Sequence, residues 1–196
     1  GGVAIPDGVR IFGPGASAAQ DLEPEYIAVS ADSSTAFVAL QENNALGVLD
    51  LTTDSIAAVL ALGVKDHRLA GNGFDADNDG EINIRRHETL GFYMPDSIVT
   101  YGMGTPYLVT ANEGDTRDYD GFSEEEDLGD LPVFAGDPEL EGLLSTSAAG
   151  DFDGDGLDDQ LSIGARSFSV WDGSTGALLS DGGDDFEWIT AHLDRF

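Results

Sequence analysis

No cysteine occurs in these 196 residues. Disulfides, thiolate metal centres and cysteine nucleophiles are therefore excluded. Basic residues are nearly as scarce: 8 Lys and Arg stand against 38 Asp and Glu, a formal net charge of −30. Such a chain repels phosphate backbones and anionic bilayers, so no nucleic-acid partner is expected. No apolar run approaches the roughly 18 residues that span a bilayer, so no direct membrane insertion is expected either. Gly1-Gly2-Val3 carries no signal peptide; a leader, if one existed, has been removed or lies outside this chain. His67, His87 and His192 are far apart and outside H-x-H or H-E-x-x-H, which argues against a zinc hydrolase. G-x-S-x-G and P-loop sequences are missing as well, and no serine nucleophile stands out.

What the chain has instead is carboxylate. Its self-repulsion calls for bound cations or high ionic strength. Two calcium ions would offset only four of the thirty charges, so a marine or halophilic habitat is the expectation. Two loops read D-x-D-x-D-G: Asp75-Ala76-Asp77-Asn78-Asp79-Gly80 and Asp151-Phe152-Asp153-Gly154-Asp155-Gly156. Carboxylates at alternate positions of a tight turn converge on one point, and all-oxygen donors favour calcium over zinc or copper. An EF-hand needs Glu at position 12; here that position is Arg86 or Ser162, so neither loop is one. The expected ligands are Asp75, Asp77, Asp79 and Glu81 in the first loop, and Asp151, Asp153, Asp155 and Asp159 in the second. The bland alternative is a pair of solvated acidic turns. Millimolar calcium is an extracellular condition, which points to a secreted or cell-surface bacterial protein.

Short β-rich runs separated by polar turns dominate the rest. Tyr26–Ser30, Thr35–Leu40, Ala45–Leu51 and Ser55–Leu62 predict a four-stranded antiparallel meander. Similar patterns recur, giving blade-like units at 20–62, 95–112 and 160–191, with insertions at 63–94 and 112–150. The Val-Trp-Asp-Gly-Ser-Thr-Gly run at 170–176 parallels Val-Leu-Asp-Leu-Thr-Thr-Asp at 48–54; both end a strand on Asp and turn into an outer strand. The expected fold is all-β: one domain, 1–196, of β-propeller blades with calcium-binding insertions, against the simpler alternative of a β-sandwich. Two to three blades cannot close a ring, so the chain is expected to be about half of a complete propeller. Remaining blades or a partner chain would cover its open edge. Residues 136–144 predict a short helix, and the insertions are expected to lack a core and to need calcium as a staple.

A third acidic group follows the strand at 106–112. Glu113, Asp115, Asp118 and Asp120 are the candidates for a second metal at the propeller mouth, and Glu23, Glu25, Glu113, Asp115 and Arg117 are the catalytic candidates. There a metal ion polarises a phosphate and activates water, and Arg117 steers the anion. The competing view has Arg117 in an internal salt bridge to a neighbouring aspartate. Two functions compete accordingly: a calcium-bound surface module for structure, adhesion or assembly, and a metal-dependent phosphoesterase. Activity as an enzyme is left open.

The segments DLEPEYIAVSADSSTAFVALQENNALGVLDL, GFYMPDSIVTY, YLVTANEGDTRDYDGF and GARSFSVWDGSTGALLSDGGDDFEWITA resemble the choice-of-anchor I domain. This is a family of secreted bacterial β-propellers with YVTN/WD40-like blades. The resemblance covers most of residues 20–191. It implies an exported or surface-held protein, and some relatives carry alkaline phosphatase-like labels. Residues 151–159 also resemble the FG-GAP calcium loops of integrins.

Overall fold

The computed structural model describes residues 2–104, 106–148 and 150–193. After a one-turn helix α1 (Ala18–Asp21), strands β1 (Ile27–Val29), β2 (Thr35–Leu40), β3 (Ala45–Asp50) and β4 (Ser55–Ala61) form an antiparallel sheet in sequence order. The turns are built by aspartates. Asp32 Oδ1 accepts from the amide of Ser34 at 3.0 Å and the hydroxyl of Ser30 at 2.7 Å. Asp50 Oδ1 accepts from the amide of Thr52 at 2.8 Å. Such side-chain turns compete with the ladder and end it.

The chain then leaves the sheet for a hairpin, β5 (Val64–Asp66) with β6 (Leu90–Phe92). A second pair follows, β7 (Ser97–Tyr101) with β8 (Tyr107–Asn112). Next come a two-residue ribbon of β9 (Asp118–Tyr119) and β10 (Phe122–Ser123), and the pair β11 (Glu125–Asp127) with β12 (Leu144–Thr146). Between the last two, the helix expected at 136–144 is a single 3-10 turn, Pro138–Leu140. Within the unit expected at 160–191, Leu161–Ser162 forms β13, which pairs parallel to β6. Finally β14 (Ser167–Asp172), β15 (Leu178–Asp181) and helix α2 (Asp185–Ala191) complete the described chain.

The fold is all-β and antiparallel in its two main sheets, as expected. One division differs. Segments 95–112 and 160–191 do not make separate units; they meet in one four-stranded sheet, ordered β7-β8-β14-β15. All six residues of β14 pair with β8, from Ser167 opposite Asn112 to Asp172 opposite Tyr107. A two-stranded ribbon is marginal alone, and each hairpin gains a partner by joining the other. The repeat seen in sequence is real at the third turn of each sheet. Asp172 Oδ1 accepts from the amides of Ser174 at 2.8 Å and Thr175 at 3.0 Å, as Asp50 does for Thr52. Four residues on, Asp54 and Gly176 both adopt positive φ, 52° and 73°.

The sheets pack face to face. Phe37, Ala39 and Leu46 of the first meet Ile98, Leu108 and Trp171 of the second. Tyr93 stands edge-on to Trp171 at 4.9 Å. First strands abut: the hydroxyl of Thr100 on β7 donates to the carbonyl of Val29 on β1 at 2.7 Å. The other face of the first sheet, with Val38, Leu40 and Val59, is covered by Ile5, Val9 and Leu22 of the N-terminal segment. The other face of the second sheet is bare: Val99 is 56% exposed, Tyr101 50% and Phe168 37%.

The insertions do have a core, contrary to the expectation that they lack one. Phe74 of the first packs with Leu128 and Leu140 of the second. Arg85 latches the two together, donating to Asp137 at 2.9 Å and Glu139 at 2.7 Å.

Candidate functional site

In the loop at 151–159 the backbone aims the carboxylates inward. The amides of Gly154 and Gly156 donate to Asp151 at 2.6 and 2.8 Å. Those of Phe152 and Asp153 donate to Asp159 Oδ2 at 2.6 and 3.2 Å. Gly154 and Gly156 take φ of 83° and 90°, which a side chain rarely tolerates. As a result one oxygen each of Asp151, Asp153 and Asp159 falls within 4.8 Å of the others. Asp155 is not in that set; its Oδ1 accepts from the amide of Leu157 at 2.9 Å. Burial, with the neighbouring Asp153 and Asp151, holds the Asp159 carboxyl above its ordinary pKa, against the hydrogen bonds from Phe152 and Asp153 that lower it. Phe152 roots the loop, edge-on to Phe92 at 4.9 Å. Arg68 bridges Asp153 at 3.1 Å and Asp66 at 2.8 Å, joining the loop to the first insertion. Three convergent carboxylate oxygens fit a hard cation such as calcium.

The loop at 75–81 is held differently. A bridge between Phe74 and Arg85 closes its base. Asp77 accepts from the amide of Asp79 at 3.3 Å, and Asp79 from that of Glu81 at 2.7 Å. Among the described residues Asp75, Asp77, Asp79 and Glu81 yield no such set of three. Asp75, Asp77 and Glu81 line a cleft of about 440 Å³ with Arg166, Glu187 and Thr190.

The third group divides. Arg117 is 2% exposed. Its guanidinium donates to Asp21 and Glu23, both at 2.8 Å, and lies over the Phe12 ring. It is a buried tie between the N-terminal segment and the second insertion, not a group aimed at an anion. The salt bridge of the competing view is observed, with the sequence-distant Asp21 in place of a neighbouring aspartate. Glu113 is exposed, and its carbonyl crosses the Gly164 backbone, where a Cβ would lie 1.8 Å from it. Asn112, the last residue of β8, is buried; it donates to Ser167 and Ser169, whose hydroxyls donate to Asp181. Lys65 lies 3.3 Å from Asp181, closing a polar network inside the second sheet.

Glu25 and Asp115 remain, and they share one end of the sheets with a residue that the sequence did not mark. Glu42 sits in the turn between β2 and β3. The turn is polar in sequence, but its asparagines tie it inward. Asn43 donates to the carbonyls of Arg10 at 2.7 Å and Asp21 at 3.1 Å. Asn44 donates to Gly63 at 2.7 Å and accepts from the amide of Met94 at 3.0 Å. Glu42 is thereby 6% exposed, and its Oε2 has no hydrogen-bond partner. Burial, with Glu25, Glu23 and Asp115 nearby, pushes its carboxyl up to about 7. Glu25 is raised too, by burial first and then by Asp115, Asp96 and Glu23. A run of two Asn after Glu was the available signal, since Asn so often binds backbone.

An all-β chain of two stacked antiparallel sheets with acidic loops defines a class that comparison narrows. The chain belongs to the choice-of-anchor I domain family, whose model matches residues 3–195. That membership implies an extracellular or cell-surface protein. No described helix is long and apolar enough to cross a membrane. No curated protein matches. Among solved structures, Kuenenia stuttgartiensis hydrazine synthase is similar over 81% of this chain, at 16% identity and a TM-score of 0.24. At that score the likeness carries no argument. This chain spans 36% of that one.

Proposed function

We propose that the chain is a section of a cell-surface β-propeller that serves binding or assembly, with calcium held in the loop at 151–159. One observation carries this reading: two four-stranded sheets stack with their first strands abutting, and the outer face of the second stays apolar and bare. In a propeller every such face meets the next blade. The occupant of this face is therefore a further four-stranded sheet, from the same protein or a partner. Calcium is supported by the three convergent aspartate oxygens, which repel one another unless a cation lies between them.

In this reading calcium does not substitute for a core, since the insertions share one. It fixes the loop that leads into β13 and relieves local repulsion. Melting in 2 mM calcium against EGTA tests it: a ligand bound at about 100 times its Kd adds roughly 2.7 kcal/mol. An unchanged transition, or an equal shift in Asp151→Asn, would defeat the calcium half of the reading.

A further inference from the structure

We propose a divalent-cation site, separate from both acidic loops, anchored by Glu42 and completed by Glu25 and Asp115. Four lines of observation converge on it. First, the Glu42 Oε2 is buried without a partner. An ionised carboxylate there leaves a lone pair unmet, and a protonated one leaves a donor unmet; either costs about 1–3 kcal/mol. A cation removes both penalties.

Second, the fold gathers the other carboxylates. Glu25 precedes β1, Glu42 follows β2, Asp96 precedes β7 and Asp115 follows β8. In antiparallel pairs the start of one strand and the end of its partner lie together, and β1 abuts β7. Glu25 feels Asp115, Asp96 and Glu23; Glu42 feels Glu25, Glu23 and Asp115.

Third, the nearby protein cations are spent elsewhere. Arg10 gives Nη1 to the Glu42 backbone carbonyl at 2.8 Å and Nη2 to Glu124 and Thr146. Arg117 is committed to Asp21 and Glu23. Among the described residues no side chain pairs with the Glu42 Oε2.

Fourth, the donors are all oxygen. Among the described residues Glu42, Glu25 and Asp115 form no set of three within 4.8 Å of one another. The site therefore takes an ion that keeps several waters, with Glu42 binding it directly and the exposed Glu25 and Asp115 holding its water shell. Calcium, with six to eight oxygen ligands and flexible geometry, fits better than zinc or copper.

The proposal does not depend on calcium in either loop, and its test separates the two. The full chain carrying D77N, D151N and D153N is titrated with calcium by calorimetry. One binding event should remain. Adding Glu42→Gln should abolish it or weaken it at least tenfold. Glu25→Gln and Asp115→Asn, both on exposed side chains, should each weaken it several-fold. A second readout excludes a purely structural role for Glu42. In EGTA the Glu42→Gln variant should melt no lower than its parent, because it loses a buried charge; in calcium it should lack the parent's upward shift. If the triple variant binds no calcium, or if Glu25→Gln, Asp115→Asn and Glu42→Gln all bind as it does, the proposal fails.

Discussion

At the scale of single residues, two buried ionisable groups pull stability in opposite directions with pH. His67 donates from Nδ1 to the Asn72 carbonyl and packs on Phe74, with Nε2 unpartnered. Burial takes its pKa from 6.5 down to about 4. Between those values the unfolded chain holds the extra proton, so falling pH destabilises the fold. Glu42 rises from 4.5 to about 7. Between those values the folded chain holds the extra proton, so rising pH destabilises it. From 4.5 to 6.5 the two effects cancel. Replacing Glu42 with Gln removes one of them. In EGTA, the stability of Glu42→Gln should therefore rise with pH across that window, by about 1.4 kcal/mol per pH unit relative to wild type. Urea midpoints at pH 5 and 6 read this directly, and parallel profiles would refute the burial of Glu42.

At the scale of elements, the insertions rise or fall together. Phe74 comes from the first, Leu128 and Leu140 from the second, and His87 sits on the same ring, 4.7 Å away. Truncation to Ala should cost about 3–5 kcal/mol, as buried Phe truncations do. Hydrogen exchange should lose protection in β11 and β12 as well as at the 74–85 bridge, although residue 74 lies far from both strands in sequence. Loss confined to residues 63–94 would mean that the shared core is not cooperative. This coupling was not legible in the sequence. Hairpins and their turns were, because Asp32, Asp50 and Asp172 write local rules: an aspartate ends the strand and binds the next amides. What two distant hairpins do with each other follows no local rule. The pairing of β8 with β14 spans some fifty residues and is set by the shared inner face of Leu108, Thr110 and Trp171. The same limit applies to the site. Loop 151–159 encodes its own convergence in alternating Asp and Gly. Arg117 and Glu42 differ in fate only because tertiary packing buries each against partners that the sequence places far away.

The bare face of the second sheet belongs to the whole molecule. Val99, Tyr101, Tyr107 and Phe168 line it, and Phe186 of α2 stacks beside Phe168 at 5.4 Å. Apolar patches of this kind mark contact surfaces. Sedimentation of the isolated chain should show self-association that grows with concentration. Val99→Lys with Phe168→Glu should suppress it without lowering the melting temperature; association that persists would place the sticky surface elsewhere.

Charge sets the remaining constraint at that scale, since a net −30 acts on every element at once. Screening shortens the Debye length from about 10 Å at 0.1 M to about 3 Å at 1 M salt. Self-repulsion weighs more on the compact state than on the expanded one, so added sodium chloride should raise the melting temperature even with EGTA present. A relief of about 2 kcal/mol corresponds to roughly 4–8 °C for a chain of this size. The response should be graded, because screening has no saturating site. Calcium should act differently. At millimolar levels it barely changes the Debye length, so a saturating shift there reports binding. The D77N, D151N and D153N chain should lose the part owed to the loops and keep the sodium chloride response in full. Should sodium chloride at matched ionic strength reproduce the calcium shift in wild type, the carboxylates would be a diffuse field rather than a set of sites.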